Sequence, residues 1–342
     1  MTVANSTIET ESVPLCLACS LPGQLALSDC RDYLCGLPGD WTFWKCSACA
    51  SLWPNPRPVE SALPSLYPSN YVFTRTDEAS DSAFPSGLAG SAKLAILQRQ
   101  FAYDSLEQRA DRPLGVWLGR IFGKFLRRKA GYTVRFLPRQ PHGKLLDVGC
   151  GNGAFIHWME RLGWEVEGIE VDPVAGQRAI DRGLTVHLDK VENIALLPAH
   201  FDAITLTHVT EHFFQPRKIF EILQRTLKPG GLLVSVSPNP SGMSRRLFQN
   251  KWYALDPPRH LFLPTAAAYR RMLEPLGFEV KTWTSERRFH WDFKESVSIA
   301  TTGEVGAVPD STLLKLATRV LGALLSCLPK AGEEVICYAR KR

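Results

Sequence analysis

No run of apolar residues in this 342-residue chain reaches the ~18–20 that a membrane-spanning helix needs. The nearest, Leu313–Leu328, is broken by Lys315 and Arg319. The first fifteen residues lack both a basic start and an apolar stretch, so no secretory leader is legible and the chain reads as soluble and cytoplasmic. Residues 1–30 lack lysine and every aromatic, which argues against a base-stacking, nucleic-acid-binding surface there. Acid is missing from residues 112–139, which hold eight basic side chains: Arg112, Arg120, Lys124, Arg127, Arg128, Lys129, Arg135 and Arg139. Taking these from the total leaves 32 basic against 34 acidic residues, so the net charge of +6 belongs to one local surface.

Cysteine, in contrast, is concentrated. Six of nine lie between Cys16 and Cys49, and Cys16-Leu-Ala-Cys19 and Cys46-Ser-Ala-Cys49 form two C-x2-C knuckles. Each knuckle sets two thiolates on one side of a tight turn, and two facing knuckles make the tetrahedral sulfur cage of a closed structural zinc site. The stretch between them is too short for a core of its own, so Zn²⁺ on Cys16, Cys19, Cys46 and Cys49 is expected to supply much of its folding energy. Cys30 and Cys35, at a wider spacing, read as spare thiols. The alternative for the knuckles is reduced, buried cysteine.

Prolines at 54, 56, 58, 64 and 68 predict an extended connector without helix, docked through Trp53, Tyr67 and Tyr71. The small polar residues 76–91 predict a loop, followed by helices over Ala92–Arg109 and Leu114–Ala130. In the second helix Trp117, Ile121 and Phe125 recur on one face, with Arg120, Lys124 and Arg127 on another. The simplest expectation is a cap helix with a solvated charged face. The alternative is a peripheral membrane contact through 114–130, or guidance of a phosphate-bearing substrate. The row Gly115, Gly119, Gly123 permits close helix contact at a cost in helix propensity.

From residue 141 strand and helix patterns alternate. Strands are expected at Leu145–Val148, Glu165–Glu170, Thr185–Leu188, Asp202–Val209, Leu232–Ser237, Phe278–Thr284 and Glu334–Arg340. Helices are expected at Ala154–Leu162, Val174–Arg182, Pro216–Leu227, Thr265–Leu276 and 311–328. This is an α/β chain with a mostly parallel sheet, and its ligands belong at the carboxyl ends of the strands. The first strand runs into DVGCGNG, where Gly149, Gly151 and Gly153 form a tight loop before a helix. Glu170, 21 residues after Gly149, can accept both hydroxyls of a ribose. The loop lacks the G-x-G-x-x-G spacing of dinucleotide sites, and Asp147 ahead of it suits an ammonium group better than a pyrophosphate.

DVGCGNG, GIEVD, FDAITLTHVTEH, LKPGG and the terminal strand, in this order, resemble a class I S-adenosylmethionine-dependent methyltransferase. The resemblance implies a Rossmann-like sheet of seven strands ordered 3-2-1-4-5-7-6, with the last strand antiparallel, beside the small zinc-binding module and a helical cap. The resemblance covers about 141–342, and the knuckles and the proline-rich connector with its cap helices add two further units, 1–55 and 56–140. Asp147, Gly149, Gly151 and Gly153 would border the methionine part of the cofactor, Glu170 the ribose, Asp189 or Glu192 the adenine, and Thr207 and His208 the sulfonium. Glu211 and His212, matching the family's E-H signature, would cap and orient the helix that follows.

An activated methyl group needs an aligned nucleophile and a positioned base rather than a catalytic metal. The base is expected after Leu232–Ser237, where His260 has the appropriate range of pKa; its alternative is a structural bond to a backbone carbonyl of its own loop. Arg245, Arg246, Lys251 and Arg259 suggest a phosphate-bearing acceptor. Together with the zinc module, this loop resembles that of bacterial deoxysugar C-methyltransferases, which carry Glu-His where this chain has Arg259-His260. The expected reaction is methyl transfer to a hydroxyl or carbon of a sugar, nucleotide-sugar or lipid-linked intermediate. Quinone-like O-methylation is the catalytic alternative, and a zinc-ribbon nucleic-acid binder with a vestigial core is the alternative from another class. Oligomeric state is not legible.

Overall fold

The computed structural model describes residues 8–68, 84–104, 106–325 and 330–342. Its N-terminal part contains β1 (Thr10–Glu11), β2 (Gly23–Cys30), β3 (Trp41–Cys46), β4 (Leu52–Pro54), β5 (Arg57–Pro58) and the one-turn helix α1 (Leu63–Leu66). Strands β2, β3 and β4 form a small antiparallel sheet in that order, and β1 pairs with β5. The connector is therefore not free of helix. Pro64 lies in the first turn of α1, where a missing N–H costs nothing.

Helices α2 (Gly87–Phe101) and α3 (Pro113–Gly131) follow as a packed pair. The expected loop over 76–91 gives way at Gly87 to α2, which ends at Phe101 rather than Arg109 because Ala102 turns left-handed and its N–H returns to the Leu97 carbonyl. Residues 76–83 and Tyr71 lie outside the described residues. The glycine row of α3 has a physical reason. A Cβ on Gly115 would sit 2.4 Å from the Leu88 carbonyl oxygen, and one on Gly119 would sit 2.4 Å from that of Ala92. The buried face of α3 is thus the glycine face, the close helix contact that the row permits, and its charged face stays exposed.

The main sheet is built from β6 (Lys144–Val148), β7 (Glu165–Ile169), β8 (Thr185–His187), β9 (Phe201–Thr207), β10 (Leu227–Pro238), β11 (Phe278–Ser285) and β12 (Glu334–Lys341). Their spatial order is β11-β12-β10-β9-β6-β7-β8, with β12 antiparallel to both of its neighbours and the other pairs parallel. This is the order and polarity that the resemblance implied. Helices α4 (Ala154–Arg161), α5 (Pro173–Asp181), α6 (Pro216–Thr226) and α8 (Ala266–Leu273) are crossovers, and α7 (Met243–Phe248) lies in the long excursion after β10. Asp172 caps α5 through the Val174 N–H, and Thr265 caps α8 through the Ala268 N–H.

Two further helices, α9 (Phe289–Thr302) and α10 (Thr312–Leu325), separate β11 from β12. The apolar pattern predicts α10 but not α9. The buried face of α9 includes Asp292, Lys294, Glu295, Ser296 and Ser298, so apolar periodicity is not its signature.

Nor does the knuckle module have a core to itself. Cys16, Cys46, Cys49 and Trp53 share one apolar cluster with Ile219, Phe220, Phe262 and Tyr269. Leu52 and Leu263 exchange backbone hydrogen bonds in both directions, and Thr265 Oγ1 donates to the Cys49 carbonyl. Burial of this shared surface gives the cysteine turns their scaffold.

Candidate active site and four-thiol cluster

The turn after β6 has the form required of a close-approach loop. Gly149, Gly151 and Gly153 all have positive φ, and a Cβ at Gly149 would fall 2.3 Å from Val209 Cγ2. The N–H groups of Gly149 and Cys150 both bond the Ile169 carbonyl, which ties the turn to β7. At the end of β7 the buried Glu170 accepts the Gly151 N–H on one oxygen at 2.7 Å. It accepts those of Val171 and Asp172 on the other at 2.8 and 2.9 Å. Burial pushes its pKa up, and these three N–H groups oppose the shift. Glu170 therefore braces the glycine loop.

Asp147, near the end of β6, is buried and accepts the Thr205 hydroxyl at 2.5 Å. Burial raises its pKa to about 7, against the stabilising effects of Thr205 and the Arg135 cation. Arg135, which no motif singles out, comes from the turn after α3 with φ +49°. It donates to Thr207 Oγ1 at 2.8 Å and lies over the Phe155 ring. An acid and a guanidinium thus stand together beside the glycine loop, complementary to the ammonium and carboxylate ends of an amino acid.

His208, in a left-handed conformation just beyond β9, does not point a free nitrogen toward that loop. Its Nε2 is 3.1 Å from Glu334 on β12, and its Nδ1 is 3.4 Å from Glu211. Burial alone would lower its pKa, but the two carboxylates outweigh burial and hold it at about 9. Glu334 also accepts the Tyr132 hydroxyl, linking β12 to the cap. Asp189 is exposed beyond β8 and bonds Lys190 and Asn193, whereas Glu192 faces a groove lined by the C-terminal end of α6 and Lys341.

Glu211 and His212 do not cap α6, whose first turn is set by Gln215 and Pro216. The buried Glu211 carboxylate, His212 and His260 converge, with ligand-type atoms all within 4.8 Å of one another. His260 Nδ1 donates to the Ala254 carbonyl at 2.9 Å, and His212 Nδ1 to that of Arg259 at 3.1 Å. The Tyr67 hydroxyl is 3.1 Å from the same His212 nitrogen. The structural alternative for His260 is thus present, and it carries a chemical consequence. A carbonyl on Nδ1 fixes the proton there and leaves Nε2 as the basic nitrogen. Burial, and next to it His260, lower the pKa of His212 to about 4.

The four cations expected to gather around an acceptor phosphate do not gather. Arg259 is fully buried and forked between Asp32, at 2.9 and 2.5 Å, and Asp256, with a further bond to the Leu66 carbonyl. A guanidinium so engaged is an internal tie, which corrects its assignment to substrate. Lys251 lies on the Tyr33 ring and bonds its hydroxyl, and Arg245 is half-buried beside Cys30. Of the four, Arg246 stays exposed.

In the knuckle module the sulfurs of Cys16 and Cys49 are 3.5 Å apart, those of Cys19 and Cys46 3.4 Å, and those of Cys19 and Cys49 3.9 Å. A tetrahedron of sulfurs about 2.3 Å from a central ion has edges of about 3.8 Å, so the four thiols fit a zinc cage. The Ala48 and Cys49 N–H groups point at the Cys46 sulfur, the outer-sphere bonding of a thiolate ligand. Cys30 lies elsewhere, buried with Phe43 and Leu52.

Comparison with known proteins decides what this arrangement is similar to. Residues 122–282 match the family model of a methyltransferase domain. That stretch of the chain is similar to a methyltransferase domain. Among curated proteins, the ubiquinone biosynthesis O-methyltransferase of Cereibacter sphaeroides is 32% identical over 117 residues, covering 32% of this chain and 47% of that one. The enzyme of the same name from Paraburkholderia phymatum is 35% identical over 95 residues, covering 26% and 41%. The chain thus spans about half the length of the curated relatives it matches, or less. Among solved structures, an S-adenosylmethionine-dependent methyltransferase from Mesorhizobium loti is 17% identical with a TM-score of 0.45, covering 62% of this chain and 97% of that one. The matched stretch includes the glycine loop, Glu170 and the Glu211–His212–His260 cluster.

Proposed function

We propose that this chain transfers a methyl group from S-adenosylmethionine to a hydroxyl of a small-molecule acceptor. The observation that carries the reading is that a braced glycine loop and the His212 turn follow the neighbouring parallel strands β6 and β9, with Nδ1 of His212 and of His260 each held by a backbone carbonyl. When bound, the cofactor supplies a methyl group already activated by its sulfonium. Asp147 would hold its ammonium, Arg135 its carboxylate, Glu170 its ribose hydroxyls and Asp189 the adenine edge. His260 Nε2 is then the group that accepts the proton of the acceptor hydroxyl, with Glu211 stabilising the imidazolium that results. Tyr67 and His212 line the same space and orient the acceptor.

A small hydroxyl-bearing acceptor is favoured over a sugar phosphate for two reasons. Arg259 and Lys251 are consumed in internal contacts, so the cationic cradle that motivated a phosphate is not assembled. The curated relatives carry the name of O-methyltransferases of ubiquinone biosynthesis. We further propose that the four thiols hold one structural Zn²⁺, with no part in the chemistry.

Calorimetry tests the cofactor. S-adenosylmethionine should bind, and Glu170→Ala should weaken it by about tenfold or more, in line with the loss of a charge-assisted bond pair. His260→Ala should keep that affinity and lose methyl transfer to catechol-type acceptors. Preference for NAD, or turnover unchanged by His260→Ala, would refute the corresponding part.

A further inference from the structure

We propose that α3 is an interfacial anchor that lays this protein on the surface of an anionic bilayer. The glycine face of α3 is spent on α2, so the large apolar residues point outward. Leu114, Trp117, Ile121 and Phe125 make one stripe, with exposures of 60, 55, 49 and 86%, and Phe122 borders it. Four large apolar side chains on one solvent-facing helical stripe are not scattered surface residues.

The charges complete the pattern. By helical spacing Arg120, Lys124 and Arg127 run along one side of the stripe, Arg128 continues its line one turn beyond Phe125, Lys129 lies on the other side, and α3 contains no acidic residue. Arg120 is engaged by Glu107. Arg127 and Arg128 also open a cavity of about 350 Å³ with Lys281, Trp283, Tyr338 and Arg340, in which Glu279 is the acid and pairs with Lys281. Cationic walls over aromatic surface, contiguous with an apolar helix face, suit the phosphate and glycerol region of a lipid whose chains meet the stripe.

Charge decides between a bilayer and a second copy of this chain. Two α3 helices pairing through the stripe would bring the flanking cations of one against those of the other, with no acid on either helix to receive them. An anionic surface receives those that Glu107 does not already hold. The anchor also leads into the candidate active site, since Arg135 follows the end of α3 by four residues and reaches Thr207.

Sedimentation of the full chain with vesicles tests this. Binding should be strong to phosphatidylcholine vesicles containing phosphatidylglycerol, weak to phosphatidylcholine alone, and should fall as salt rises. The double substitution Trp117→Asp and Phe125→Asp should lower partitioning by about tenfold or more, consistent with two lost aromatic contacts. Both positions are more than half exposed, so an unchanged thermal melt verifies the fold. Lys124→Gln with Arg128→Gln should weaken binding to the anionic vesicles alone. The proposal is overturned if wild-type protein ignores both vesicle types, if the double variant binds equally well, or if ultracentrifugation shows a dimer that the double variant dissolves while vesicles are ignored.

Discussion

Replacing Arg259 with Met separates two roles for a cation that the sequence alone would send to a substrate. Met keeps the apolar stem and removes the guanidinium, leaving Asp32 and Asp256 facing each other in the interior. Removing one partner of a buried pair typically costs about 3–5 kcal/mol. Asp32 retains three backbone N–H donors, from Leu34, Cys35 and Leu37, each at 3.0 Å. That residual solvation puts the loss near the lower figure, about 3 kcal/mol. For a chain of this size, with an unfolding entropy of roughly 0.7 kcal/mol/K, the melting temperature should drop by about 4 °C. Calorimetric or fluorescence melts of Arg259→Met, Asp32→Asn and the double variant would read it, and the double variant should lose less than the sum of the singles. An exposed substrate-binding arginine would leave the melt within about 0.5 kcal/mol of wild type. A shift below about 1 °C, close to what that figure implies, would sink the internal-tie argument.

Two other perturbations are expected to register clearly. The folded-state pKa of His208 is raised from 6.5 to about 9 by Glu211 and Glu334 against burial, so its stabilisation is complete below about pH 6.5 and is lost as pH rises through about 9. Unfolding free energy measured in urea should therefore decline on the alkaline side, and His208→Gln should flatten that decline; an unchanged slope would remove His208 from the ion-pair network. Purified protein should carry about one zinc per chain, the content of a four-thiol cage. Cys46→Ser should release it and lower the melting temperature, whereas wild-type protein that is folded yet metal-free would dismiss the zinc proposal.

The β–α alternation was legible because parallel strands buried on both faces, such as Leu145–Val148 and Phe201–Leu206, read as apolar runs bounded by polar turns. The knuckles and the glycine loop were legible because their chemistry fixes short spacings. What escaped was whatever depended on distant partners. Nothing near Arg259 in sequence announces Asp32, and nothing in HVTEH announces that Glu211 turns toward His260 rather than toward the next helix. Arg135 belongs to no motif and reaches the site because α3 ends where it does. For α3 the glycine row announced a close helix contact, while the face that would be buried stayed open for a related reason. Apolar periodicity gives two faces but not which of them finds a neighbour, and here three glycines outcompeted the large side chains for α2.

The link between Asp32 and Arg259 also constrains the time course of folding. It closes 227 residues of chain, and Tyr132 to Glu334 closes 202. Contacts of such separation follow the closing of long loops rather than leading it. The histidine cluster is therefore expected to gain its order after the sheet has formed and to lose it first under mild stress. Hydrogen exchange at residues 254–262 should then report partial openings that leave β6 and β9 protected.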